Sequence, residues 1–560
     1  MIKTFFPIFC IVVIGFILRF WQLSSVPPSL SHDEVAIGYN AYSILQTGKD
    51  EYGISFPMLF RSFDDYKLPG MVYATVPSVA IFGLNEFGVR FPSAFFGSLS
   101  VIVFYFLVIE LLGKKAMIVL FKRDVNVATI ITLFFALSIW HINFSRQSFE
   151  SNGAVFFLLL GTYFLLKFPK NPPFLVYSAV SFSASLYFYY SVRTVIPFLL
   201  ITGILLYRRE FIKQKKYLVI SLLVGFFLLL PLLPSLLSKG GLTRIATVSV
   251  ANDQSYLLKK DNFSTIIASD PTPVKKIVYN RRIALLETVF ENYVKNFSLS
   301  AIFISGTGSA GLLYILEAPF FFFGIYQLFR LQHKGKWILL AWFLCTPLAG
   351  AFSTNQPNYL RTLPNAVIFS FLSGLGFIGI INLFKKEFHK SFFFLTILGL
   401  FTVSFVRFLF LYFDYYPKLN ALHFGDGYKQ MVHVLQREES KYDKIYISGQ
   451  YWRPYIFTLF WEKYDPALYQ QKGTLMGFSK YSFGNASWDK EKFFFGDPSF
   501  DFKKLQISDT KKALFILGAN EYEIHKRQFI KLSTINGRHA KDVFVLALLK
   551  YDKFNRLTQQ

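Results

Sequence analysis

Cysteine is nearly absent from this chain. It has two in 560 residues, Cys10 and Cys345, both inside apolar runs. Neither a disulfide framework nor a cysteine-based zinc cluster can be built from them, and cysteine usage says nothing of the redox compartment. Charge is scarce as well, at 17% of residues, and acids are outnumbered, 34 against 59 Lys and Arg. The eight histidines show no metal-ligand spacing, and only His32, beside Asp33, is suggestive. No internal repeat or low-complexity linker is evident.

Apolar and aromatic residues fill the space instead, at 53% and 19% of the chain. They fall in runs of about 20 residues, each long enough for a hydrocarbon core of roughly 30 Å, so the fold class expected is an α-helical polytopic membrane protein. The formal net charge of +25 lies largely in short loops between those runs. That is the positive-inside pattern and not a nucleic-acid footprint. The first run, residues 5–23, reads as a retained anchor: no small-residue cleavage site follows it, and "RFWQL" supplies an aromatic and basic flank.

With the N-terminus in the cytoplasm, about eleven spans thread the chain. The first delivers an outer loop over residues 24–88. Its apolar piece "LPGMVYATVPSVAIFGL" reads as an interfacial or re-entrant helix, because a crossing there would put "GKK" outside. Further spans are expected near 89–112, 126–141, 153–167, 173–191, 194–207 and 217–238. A second outer loop without a spanning run, 239–308, comes next, then spans near 311–329, 337–352, 363–384 and 391–412. Residues 1–412 thus form a transmembrane domain. From residue 413 the composition becomes that of a soluble protein: "YDKIYIS", "KKALFILGA" and "DVFVLALLKYD" read as strands, "YKQMVHVLQREE" and "RPYIFTLFWEKY" as amphipathic helices. This predicts a small extracytoplasmic α/β domain over 413–560. Four Asn-x-Ser triplets, at Asn143, Asn262, Asn296 and Asn485, map outside.

On this topology Asp33, Glu34, Lys67, Arg90, Arg146, Glu150, Arg193, Arg244 and Arg361 all lie in outer loops or at outer ends of spans. Only Glu110 and Glu317 sit clearly at depth, neither with an obvious sequence neighbour. So few intramembrane charges speak against a pump or coupled transporter. Chemistry is expected at the outer surface, where arginine forks and a lysine suit a phosphate ester anchored in lipid, and a carboxylate suits general base catalysis on a hydroxyl. Each residue has a plainer reading. Ser31 and Glu34 make a capping box, Asp33 complements a helix dipole, Lys67 snorkels, and Arg146, Arg193 and Arg361 meet headgroups. Asp64 and Asp65 read as solvated loop acids.

The stretches "SHDEVAIGYNAYSILQTGKDEYG", "YKLPGMVYA", "VRFPSAFFGSLSVIVFYFLVIELLG", "YFYYSVRTVIP" and "NYLRTLPNAVIFSFLSGLGF" resemble GT-C glycosyltransferases of the protein O-mannosyltransferase and aminoarabinose-transferase type, and "RPYIFTLFWEKYDPALYQ" resembles the tail of some bacterial members. The resemblance implies an inverting enzyme that moves a sugar from a polyprenyl-phosphate donor to a hydroxyl acceptor of a protein, lipid or glycan. It implies Asp33 as catalytic base, Glu34 as its acidic neighbour, and Lys67 beside the lipid phosphate. Two departures stand out: "KLPG" replaces a Lys-Pro-Pro, and Glu150 stands where many relatives have aspartate. Arg146, Glu150, Arg193 and Arg361 complete the expected substrate-binding set. No cofactor is implied, although an outer acidic site leaves room for a divalent metal. A lipid-linked saccharide flippase and an inactive receptor or scaffold are the alternatives.

Overall fold

The computed structural model describes residues 2–63, 65–114, 116–238, 248–307, 310–354, 356–451, 453–474, 477–484 and 512–550. Asp64, Arg244 and Asn485 lie outside the described residues. Two compact units emerge. One holds residues 1–21, 65–71 and 93–411, the other residues 22–64, 72–92 and 412–560.

The first unit is helical. Every run expected to span forms a helix: Ile2–Phe20, Glu86–Leu112 (which starts in the other unit), Val127–Ala136 with Ile139–Ser145, Glu150–Lys167, Phe174–Phe188, Val192–Leu206, Lys215–Leu229, Ala318–Arg330, Lys336–Ala351, Asn365–Ile381 and Glu387–Phe410. Glu86–Leu112, with 27 residues, and the continuous 387–419 rod, with 33, are long and apolar enough to cross a membrane alone. The pair Val127–Ala136 and Ile139–Ser145, bent by 53°, makes a third candidate among the described residues. Several of the remaining apolar helices have only 10–17 residues, so length alone supports fewer crossings than the apolar runs suggested. The bend has a local cause. Ser138 leaves helical geometry and its side chain caps the next helix at His141 N, as Asn126 caps the first at Ala128 N.

Two glycines permit a close helix crossing. A Cβ on Gly324 would fall on the carbonyl of Leu372, and one on Gly376 on the carbonyl of Phe320. Helices Ala318–Arg330 and Asn365–Ile381 therefore meet backbone to backbone, as small residues permit in lipid. The expected lone acids have partners. Glu110 takes Lys170 at 2.7 Å, and Glu317 accepts from Tyr314 N at 3.3 Å. A buried cluster escaped the sequence reading: Arg19 donates to His141 Nδ1 at 2.8 Å and to the carbonyls of Gly15 and Ala136.

The second unit contains a six-stranded mixed sheet. Its order is Gly477–Phe478, Tyr481–Phe483, Lys444–Ile447, Ala513–Gly518, Phe544–Leu549, Phe529–Ile535. Lys444–Ile447 runs parallel to both neighbours, and the other pairings are antiparallel. Ala513–Gly518 is buried at every position, which explains its unbroken apolar sequence in the sheet centre. Helix Tyr428–Glu438 buries Tyr428, Met431, Val432 and Leu435, the spacing of one helical face. Helix Pro454–Glu462 opens on a proline at its first turn.

Helix His32–Thr47 belongs to this unit. Gly38 lies so close to Phe460 and Val89 that a Cβ would collide with both. Tyr39 Oη donates to Tyr464 O at 3.1 Å, and Gln470 Nε2 reaches Ser43 Oγ, Thr47 Oγ1 and Asp50 O at 2.9–3.0 Å. Beyond the helix, Glu51 is sealed: Asn40 Nδ2 donates to its carboxyl at 3.2 Å, and burial pushes its pKa up to about 8.

Of the glycosylation triplets, Asn143 and Asn296 are buried, 3% and 5% exposed. Both sit inside helix packing, so surface exposure, which such an acceptor needs, is missing.

Candidate active site

At the start of helix His32–Thr47 the capping box forms as expected. Ser31 Oγ accepts from Glu34 N at 3.4 Å, and Ser31 N donates to Glu34 Oε2 at 2.9 Å. Glu34 does more than cap. Arg90 Nε donates to its Oε1 at 2.8 Å, and both side chains are fully buried. The same guanidinium donates to the carbonyls of Leu23 (3.1 Å), Pro27 (3.0 Å) and Ser29. One arginine thus gathers the chain from Leu23 to Ser29 onto the helix start. Asp33, next in line, behaves differently: its side chain is 35% exposed, with His32 Nε2 at 3.8 Å. Two adjacent carboxylates have separate fates, one sealed inside and one at the surface of the unit.

Within the other unit, segments far apart in sequence converge. Lys67 Nζ lies 3.6 Å from Glu150 Oε1, and Glu150 is the first residue of its helix, where a carboxylate meets the positive end of the helix dipole. Tyr189 ends helix Phe174–Phe188 in an extended conformation. Its buried hydroxyl lies within the fields of Arg361, Glu150 and Lys67. Arg361 is held by Ser353 Oγ and by Thr354 O at 2.9 Å. Tyr190 Oη donates to Tyr66 O at 3.3 Å, and its ring carries the Arg193 guanidinium at 4.4 Å. Among the described residues Arg193 Nη2 is buried with no hydrogen-bond partner, a donor left available to an acceptor.

Lys67, Glu150, Arg193 and Arg361 are therefore brought into one cluster. Arg146 is elsewhere: fully buried, it donates to Leu18 O at 2.8 Å, beside Arg19. Asp33 and Glu34 belong to the second unit. The sequence reading missed Tyr66, Tyr189 and Tyr190. Their only signal was the tyrosine pair just before "SVR", which a membrane-interface belt explains equally well. Among the described residues no three His, Cys, Asp or Glu side chains gather as metal ligands, so no step is assigned to a divalent ion.

Apolar helices long enough to cross a bilayer, joined in the sequence to a C-terminal sheet, mark the chain as an integral membrane protein. Residues 9–230 match the family described as dolichyl-phosphate-mannose-protein mannosyltransferase. Among solved structures the fold is similar to ArnT from Cupriavidus metallidurans in the apo state, with TM-score 0.55 and 12% identity over 96% of this chain and 97% of that one. ArnT bound to undecaprenyl phosphate gives 0.54 and 11%, over 97% and 98%. The archaeal oligosaccharyltransferase AglB from Archaeoglobus fulgidus, in complex with an inhibitory peptide and a dolichol-phosphate, gives 0.47 and 12%, over 81% of this chain and 63% of AglB. No curated protein sequence matches significantly.

Proposed function

We propose that this chain is an inverting glycosyltransferase that moves one sugar from a polyprenyl-phosphate donor to a hydroxyl acceptor on the extracytoplasmic face. In this reading the acceptor oxygen attacks the anomeric carbon, the bond from that carbon to the phosphate oxygen breaks, and the lipid phosphate leaves with the electron pair. Asp33 takes the acceptor proton as general base. Lys67, Arg193 and Arg361 hold the phosphate and stabilise its growing charge. Glu150 orients Lys67. Glu34 and Arg146 enter as buried supports, Glu34 by fixing the turn that presents Asp33.

The observation that carries the reading is the gathering of Lys67, Glu150, Tyr189, Arg193 and Arg361, which unites a cationic set with an unsatisfied buried guanidinium donor. No observation favours a flippase: Glu110 and Glu317 are each partnered locally and are not strung along a path. The reading takes about eleven crossings from a cytoplasmic N-terminus, a transferase domain over 1–412 and an extracytoplasmic domain over 413–560. Mass spectrometry of lipid co-purified with the chain tests donor and class together. A polyprenyl-phosphate sugar is expected, and recovery of no such lipid from active preparations overturns the donor assignment.

A further inference from the structure

The second outer loop holds a helix with inverted polarity. In Arg281–Lys295 the inward residues are Ala284, Thr288 and Asn292, followed past its end by Asn296, all 5% exposed or less. On the opposite side Leu286, Phe290 and Val294 are 63%, 67% and 49% exposed. A helix on a water-facing surface does the reverse, turning its apolar stripe inward. Glu287 and Glu291, next to the apolar arc, are both bridged by Lys259, at 3.3 and 2.6 Å, which lowers the cost of bringing them near lipid.

Contacts flanking the inward face fix its depth. Tyr293 Oη donates to Leu344 O at 2.9 Å, and Phe297 stacks edge-on against Phe343 at 5.4 Å. Phe343 and Leu344 occupy the middle of Lys336–Ala351, one of the apolar helices read as a span. The C-terminal half of Arg281–Lys295 therefore runs beside the centre of a membrane-type helix and not above its end. Four basic residues lie toward the opposite end, Arg281 and Arg282 preceded by Lys275 and Lys276 in Pro273–Val278, against Lys295 alone in the last turn, where its ammonium reaches back to Asn292 Oδ1 at 3.4 Å. That distribution matches acyl chains at one end and headgroup phosphates at the other.

We propose that Arg281–Lys295 is a re-entrant helix seated in one leaflet of the bilayer, with Leu286, Phe290 and Val294 against phospholipid acyl chains and Arg281 and Arg282 at the phosphate level. The inference needs only the membrane embedding of this unit and is independent of sugar transfer. To test it, the full chain carrying Cys10→Ser and Cys345→Ala is placed one copy per nanodisc of phosphatidylcholine and phosphatidylglycerol. Nitroxides are attached in turn at Leu286→Cys, Phe290→Cys and Val294→Cys, with Asp261→Cys as the aqueous reference. These side chains are exposed, so labelling leaves the fold in place, which monodisperse elution verifies. Collisions with oxygen are expected to exceed those with a nickel chelate at the three apolar positions, and the order to reverse at 261. Dominant nickel collisions at Phe290 and Val294 overturn the proposal in favour of a water-facing helix. Protection from both reagents overturns it in favour of cover by protein.

Discussion

Two cation–carboxylate pairs, one in each unit, teach opposite lessons. Arg90 and Glu34 meet at 2.8 Å with no exposure on either side, and the guanidinium also gathers three backbone carbonyls. Lys67 and Glu150 sit 3.6 Å apart, each about a tenth exposed, within a ring of tyrosines and arginines. The first pair is sealed and closed to any ligand, so it is architecture. The second is too long for a hydrogen bond and open enough to exchange one partner for another, which is what an anion-binding lysine requires.

The comparison is broken most severely at its closed end. Arg90→Met takes the counter-cation from a buried carboxylate and a donor from three carbonyls, and is expected to cost about 3–5 kcal/mol, read as loss of the monodisperse folded peak in detergent. Asp33→Asn is expected to keep that peak and lower sugar transfer by about 10²–10⁴-fold; undiminished turnover removes Asp33 from the mechanism. At the open end, Lys67→Gln is expected to raise the donor KM by about 10- to 100-fold, the worth of one hydrogen bond to a charged group, while the melting temperature barely moves. If stability falls and KM holds, Lys67 belongs with Arg90.

The smallest expected effect concerns pH. Glu51 is protonated more readily in the folded unit, at about 8 against 4.5 when exposed. Its contribution to stability is thus full below about 4.5 and is lost as pH rises through about 8. Thermal melts between about pH 6 and about pH 9 are expected to fall less steeply for Glu51→Gln than for the native chain. Equal slopes exclude Glu51 as the titrating group.

What the sequence made legible was local. Ser31 and Glu34, three residues apart, announced their capping box, and each apolar run announced a helix, because both signals live within one or two turns. Strand Ala513–Gly518 and helix Tyr428–Glu438 were readable from their apolar patterns for the same reason. Arg90 is 56 residues from Glu34, and Arg361 is more than 150 from Tyr189, so nothing in periodicity links them. Strand Phe529–Ile535 was missed because its middle positions Lys531, Leu532 and Ser533 are exposed and two of them are polar, the look of an edge strand. Arg19 and His141, 122 residues apart, were hidden by apolar neighbours that made one seem an anchor flank and the other a lone histidine.

Helix His32–Thr47 leans on residues more than 400 positions later, through Tyr464 and Gln470. During synthesis, then, the segment bearing Asp33 emerges among the first and waits for its partners until the ribosome has nearly finished. Such long-range closure is slow, and every premature stop before Tyr464 releases a chain in which the proposed base lacks its Tyr464 and Gln470 supports.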